Sequence, residues 1–254
     1  MSTGLRNLAR RAGLVAGAAA VLLLLGAGAL AFVADPPVTD VATAAGATQV
    51  GAAASSTRTV TRPVIVSKPV PFGSTRKAEI SAYCKRHYGI SGWRLTPKVI
   101  VLHFTAGADW RATWNYFASD APDPEFHELP GPASHFIIAK DGTIYQCVPL
   151  NVRTRSTYGL NYVAVGIEFA QECPSSSSWA DQQILNRPAQ VNAGLRLVAW
   201  LQAKYKISMA NVIGHSMART SPYYKDLVRP NTPDHGDWQL ADVKVFRARL
   251  KQLR

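Results

Sequence analysis

The chain has 254 residues, a formal net charge of +12 and 47% hydrophobic residues. That suits one globular domain with accessory segments and excludes a wholly disordered chain. Its three cysteines, Cys84, Cys147 and Cys173, are too few and too spread for a disulfide scaffold or a Cys-rich zinc ribbon. Neither a Gly-x-x-x-x-Gly-Lys nor a Gly-x-Gly-x-x-Gly element occurs, which argues against a P-loop or Rossmann nucleotide site.

In chain order, Arg6, Arg10 and Arg11 precede an uncharged apolar run over 12–34. A basic start followed by an apolar run reads as an export signal, and Ala29 and Ala31 offer small residues for cleavage. The run also reaches the roughly 20 residues that span a bilayer. Signal peptide and transmembrane anchor both stay open for 1–34. Either sends the remainder out of the cytoplasm, secreted or membrane-anchored at the cell envelope. Residues 35–76, rich in Ala, Thr, Ser and Pro, read as a flexible linker with a short strand over 61–66.

The composition turns globular over 77–254. The run 99–102 predicts a buried strand ending at His103. A helix follows over 110–117, with Trp110, Trp114 and Phe117 on one face, and then a proline-rich loop over 121–132. Strands over 134–139 and 144–148 flank an Asp141-Gly142 turn, a hairpin signal. A further strand covers 162–169, and an amphipathic helix covers 191–205. A short strand over 211–213 leads into Gly214-His215. The last helix, 241–253, turns Val243, Phe246, Leu250 and Leu253 inward. The expected fold is α/β: a mixed central sheet flanked by helices, in a single globular domain.

Two histidines share a setting at strand ends, His103 before a small-residue loop and His215 after Gly214. Neutral imidazole is a common zinc ligand, and catalytic zinc takes three protein ligands plus water. The stretch 233–238 offers a third ligand. Glu168 sits in a strand whose neighbours are apolar, where desolvation raises a carboxyl pKa and suits a general base. A structural carboxylate bonded to the backbone or to an arginine such as Arg153 is the alternative.

Four segments together resemble one family: His103-Phe104-Thr105-Ala106-Gly107, the stretch from Ser134 to Gln146, the stretch from Asn161 to Glu168, and Ile213-Gly214-His215-Ser216. They occur in the order and spacing of the zinc-dependent N-acetylmuramoyl-L-alanine amidases. That family shares its fold with peptidoglycan recognition proteins. The resemblance covers about 97–238, and the stretch from Tyr83 to Gly89 with Trp93 looks like the lead-in of some bacterial members.

The resemblance implies hydrolysis of the amide between N-acetylmuramic acid and L-alanine by zinc-activated water. His103 and His215 match the first two ligands, and Glu168 matches the acid/base position. The third ligand is Asp234 or His235. Thr232, two residues before Asp234, stands where some members place Thr and others Lys, so zinc itself, Thr232 or Arg229 would hold the oxyanion. Asn161 and Tyr158 are candidates for lining the substrate groove.

The implied partners are peptidoglycan and, through an uncleaved N-terminus, a membrane. Export argues against nucleic acid despite the basic charge. A Cys147–Cys173 or a Cys84–Cys147 disulfide stays open. The alternatives to an enzyme of cell-wall turnover are a catalytically silent peptidoglycan-binding module on the same fold and an unrelated zinc hydrolase. No His-Glu-x-x-His motif favours the latter.

Overall fold

The computed structural model describes residues 60–253. The expected signal or anchor segment and the first part of the linker lie outside the described residues. Among the described residues no helix is long and apolar enough to cross a membrane.

Six strands form one sheet in the order β1-β4-β3-β5-β2-β6. They are β1 (Val66–Ser67), β2 (Val99–Ala106), β3 (Phe136–Ile138), β4 (Ile144–Gln146), β5 (Ala164–Glu172) and β6 (Val212–Gly214). Every pair is parallel except the β3–β4 hairpin. The hairpin forms at the expected turn. Gly142 takes φ +88°, and the Asp141 carboxylate accepts the Thr143 N–H at 2.9 Å. The central pair, β2 and β5, is covered on both faces, which is why both read as near-continuous apolar runs.

One face of the sheet, carrying Ile100, Leu102, Phe136, Ile138, Ile167 and Phe169, packs on α3 (Ser177–Leu185), α4 (Pro188–Tyr205) and α5 (Leu240–Lys251). Ile137 faces the other way, into a second cluster with Phe117, Trp110 and Trp114 of α2 (Trp110–Ser119). Beside it lies α1 (Ser74–Tyr88), which buries Ile80, Tyr83, Cys84 and Tyr88.

Four observations amend the expectations. β2 runs three residues past His103 by way of a bulge between Phe104 and Ala106. Leu253 is exposed, because α5 ends at Lys251. The cysteines are unpaired, with Cys84 and Cys147 each buried in the core and Cys173 half-buried, so neither disulfide forms. The end of the expected linker is not free: Lys68 and Val70 donate backbone N–H bonds to Gln146 and Cys147, continuing the edge beside β4.

The sequence pattern predicts no helix over α1 or α3, because the buried face of each mixes apolar residues with charged or titratable ones. The buried residues of α1 include Arg76 and His87, and those of α3 include Asp181, which hydropathy reads as solvent-facing. Arg76 is buried by donating to the carbonyls of Phe117 (2.7 Å) and Gly131 (3.0 Å) and by pairing with Asp120 at 2.9 Å.

Candidate active site

The parallel register of β2 and β5 sets His103 beside Glu168, so both side chains leave the same face of the sheet. β6 ends at Gly214, alongside Leu102, and delivers His215 to the same place. A cavity of about 860 Å³ opens there, walled by the start of α2, the loop carrying Asp123 and Glu125, the turn 155–158 and the segment 235–237.

Three donor atoms converge on its floor. His103 Nδ1 lies 3.1 Å from His215 Nδ1 and 3.1 Å from Asp237 Oδ2, and His215 Nδ1 lies 3.0 Å from Asp237 Oδ1. The group that closes the cluster is therefore the Asp237 carboxylate, not Asp234 or His235. The reason is tertiary. Trp238 is wholly buried; its indole N–H donates to the His103 carbonyl at 3.2 Å and its backbone N–H to Asp181 at 3.0 Å. A Cβ on Gly214 would meet the Trp238 carbonyl oxygen at 1.9 Å, so only glycine lets this segment lie against β6. Anchoring Trp238 leaves Asp237 aimed at the histidines. Asp234 instead accepts the Arg219 N–H at 3.1 Å and stands away from the cluster.

His235 is half-exposed at the cavity wall, its ring stacked on His215 at 4.5 Å between centroids and 3° between planes. Thr232 is buried and donates to the Arg229 carbonyl, and Arg229 pairs with Glu128 at 2.9 Å over the Phe126 ring. Neither lines the cavity, so neither stands where an oxyanion would form. Tyr158 lines the wall, its hydroxyl accepting from Arg155. Asn161 also borders the cavity but is 1% exposed, with its side chain spent on the backbone of 156–157.

The electrostatics of the site are those of four groups competing for protons. Burial drives the His215 pKa down to about 4. Burial also opposes a charge on His103, yet Asp237 and Glu168 raise it above its ordinary value. Burial opposes ionisation of Asp237, but the two histidines hold it far below the carboxylate range. Glu168 is raised, chiefly by burial; Ser134 Oγ donates to it at 2.9 Å.

The donor set fits a zinc-like cation. Two imidazole nitrogens and a carboxylate are ordinary zinc ligands, and bonds of about 2.0–2.1 Å in tetrahedral geometry give ligand edges of about 3.3 Å. The edges here are 3.0–3.1 Å. Two Nδ1 atoms that close cannot both carry a proton, so at least one lone pair points inward.

A family profile described as N-acetylmuramoyl-L-alanine amidase matches residues 93–226, more than half of the chain. Similar solved structures include a mutant endolysin from Bacillus subtilis, 25% identical over 60% of this chain and 84% of that one, with TM-score 0.39. The N-acetylmuramoyl-L-alanine amidase LysC from Clostridium intestinale URNW is 20% identical over 75% and 99%, with TM-score 0.46. The E. coli amidase AmiD, in complex with anhydro-N-acetylmuramic acid-L-Ala-D-gamma-Glu-L-Lys, is 22% identical over 48% and 49%, with TM-score 0.35. No curated protein matches.

Proposed function

The chain belongs to the N-acetylmuramoyl-L-alanine amidase family, and from that premise we propose an exported, zinc-dependent hydrolase that cleaves the amide between N-acetylmuramic acid and L-alanine of peptidoglycan. The observation that carries the reading is the convergence of His103, His215 and Asp237 on the floor of a cavity that Glu168 also lines. Zinc held by those three side chains supplies Lewis acidity, polarising a carbonyl and acidifying water.

The chain's own residues do the rest. Glu168, with a pKa raised by burial, accepts a proton from the attacking water as the C–O bond forms. It returns that proton to the leaving nitrogen as the C–N bond breaks, releasing L-alanine with a free amine. Ser134 holds Oε1 of that carboxylate. His235 is the donor we assign to the developing oxyanion, in place of Thr232 or Arg229, because its ring stands at the cavity wall beside His215. Export is supported by the basic-then-apolar start of the sequence.

The test is digestion of purified peptidoglycan by the full chain, followed by labelling of new amino groups and new reducing sugar ends. Free L-alanine N-termini without new reducing ends are expected, and treatment with a chelator abolishes their release. Binding to the wall without any release would favour the silent module instead.

A further inference from the structure

α1 ends at Tyr88, before the segment that the family profile matches, yet it reaches beneath the site. Tyr83 and Tyr88 are wholly buried. Asn161 Nδ2 donates to the Tyr88 hydroxyl at 3.1 Å and points to the Tyr83 hydroxyl at 3.5 Å. The other end of the amide, Oδ1, accepts the backbone N–H groups of Ser156 at 2.8 Å and Thr157 at 2.7 Å. Two converging N–H donors admit only the amide oxygen, so the NH₂ must face the tyrosines.

The turn held in this way places Thr157, 1% exposed, with Oγ1 3.2 Å from Nε2 of His103. The other nitrogen of that ring, Nδ1, is the one that meets His215 and Asp237. An acceptor at Nε2 keeps the proton there and leaves the Nδ1 lone pair free to bind a cation.

We propose that α1 is a working part of the metal centre: Tyr88, Asn161 and Thr157 are positioning residues in a buried relay that sets the tautomer and orientation of His103. The inference rests on reading His103 as a ligand. A purely structural turn would need Asn161 to close it but would not need a hydroxyl against the ring nitrogen.

The experiment measures zinc affinity of the full chain by competition with a chromophoric chelator, together with the visible spectrum of the Co²⁺-loaded protein. Thr157→Val should weaken zinc binding by roughly 10–100-fold and shift the Co²⁺ spectrum, as removal of an outer partner of a ligand does. Thr157→Ser, which restores the hydroxyl, should return both to the wild-type values. Tyr88→Phe should weaken zinc in the same direction by a smaller factor. Wild-type affinity and spectrum in Thr157→Val overturn the relay while leaving the amidase reading standing. If Thr157→Val does not fold, wild-type affinity in Tyr88→Phe overturns it. A wild-type chain that takes up no zinc overturns the ligand reading and the relay with it.

Discussion

Four residues within one short loop, Asp234, His235, Asp237 and Trp238, take different roles, and charge type does not sort them. Asp234 and Asp237 are both carboxylates three positions apart, but one ends on the Arg219 N–H and the other between two histidines. Asp237→Ala should therefore abolish stoichiometric zinc binding, whereas Asp234→Ala should retain zinc and lose only the support it gives to the turn at Arg219. Metal analysis of the two purified variants decides this, and the reverse pattern would remove Asp237 from the ligand set. Glu168→Gln separates metal binding from turnover at the same scale. It should keep zinc and its melting temperature but lose roughly 10²–10⁴-fold in turnover, the usual contribution of a general acid–base group. Full activity in that variant would make Glu168 a structural carboxylate.

At the scale of elements, the site depends on how closely chain segments approach. β6 and the 237–239 segment touch backbone to backbone, and Gly214 is the position that permits it. Ser216 reinforces the contact, its N–H donating to the Asp237 carbonyl at 3.0 Å and its hydroxyl to the Trp238 carbonyl at 2.8 Å. Gly214→Ala forces a backbone to move, since a carbonyl cannot rotate away as a flexible side chain does. Overpacking of this kind costs roughly 1–3 kcal/mol. The expected outcome is a lowered melting temperature together with weaker zinc binding, because Asp237 moves with Trp238. A variant with wild-type zinc affinity would mean that the carboxylate reaches the histidines without this close approach. α1 illustrates the same dependence from the other side of the fold. His87, buried in that helix, is bracketed by Asp226 at 3.1 Å and Glu128 at 3.0 Å, which ties the helix to two loops beside the cleft.

Across the whole molecule, those loop attachments make stability pH-dependent. Burial raises the carboxyls of Asp123, Glu128 and Asp226, but their partners outweigh it. For Asp123 these are the N–H groups of Phe126 and Glu128 and the Arg155 guanidinium; for Glu128, Arg229 and His87; for Asp226, His87 and the N–H groups of Arg229 and Val228. Each pKa lies below its ordinary value in the folded state. The stability they contribute is present above about pH 4 and lost as pH falls through the folded values. Asp181 acts oppositely. Burial raises it to about 7 despite the N–H groups of Gln239 and Trp238, so the folded state holds its proton more tightly. That contribution favours the fold at lower pH and fades as pH rises from about 4 through 7. Chelator-treated protein should thus melt highest on the weakly acidic side of neutrality and lose stability steeply below pH 4. Asp123→Asn should flatten the acid limb of a melting-temperature profile. An unchanged acid limb would mean that these carboxylates do not govern acid unfolding.

The sequence by itself determined what local pattern encodes. Apolar runs and the Asp141-Gly142 turn marked the sheet strands, 3.6-residue periodicity marked α2, α4 and α5, expected strand ends singled out His103 and His215, and a carboxylate among apolar neighbours singled out Glu168. These survive because each depends on neighbours a few residues away or on burial of a whole run. Tertiary structure alone decided α1, whose buried face mixes Ile80, Tyr83, Cys84 and Tyr88 with Arg76 and His87, polar groups satisfied by partners 41–139 residues away. It also decided the closing carboxylate, since Asp237 is aimed by a tryptophan buried against β2 and by a glycine at the end of β6. Trp238 was the available signal: the large apolar residue of that loop must be buried, and its neighbour is then held against the floor of the sheet. Which carboxylate stands next to two histidines is a question of chain path, and chain path is set by contacts that spacing along the sequence does not encode.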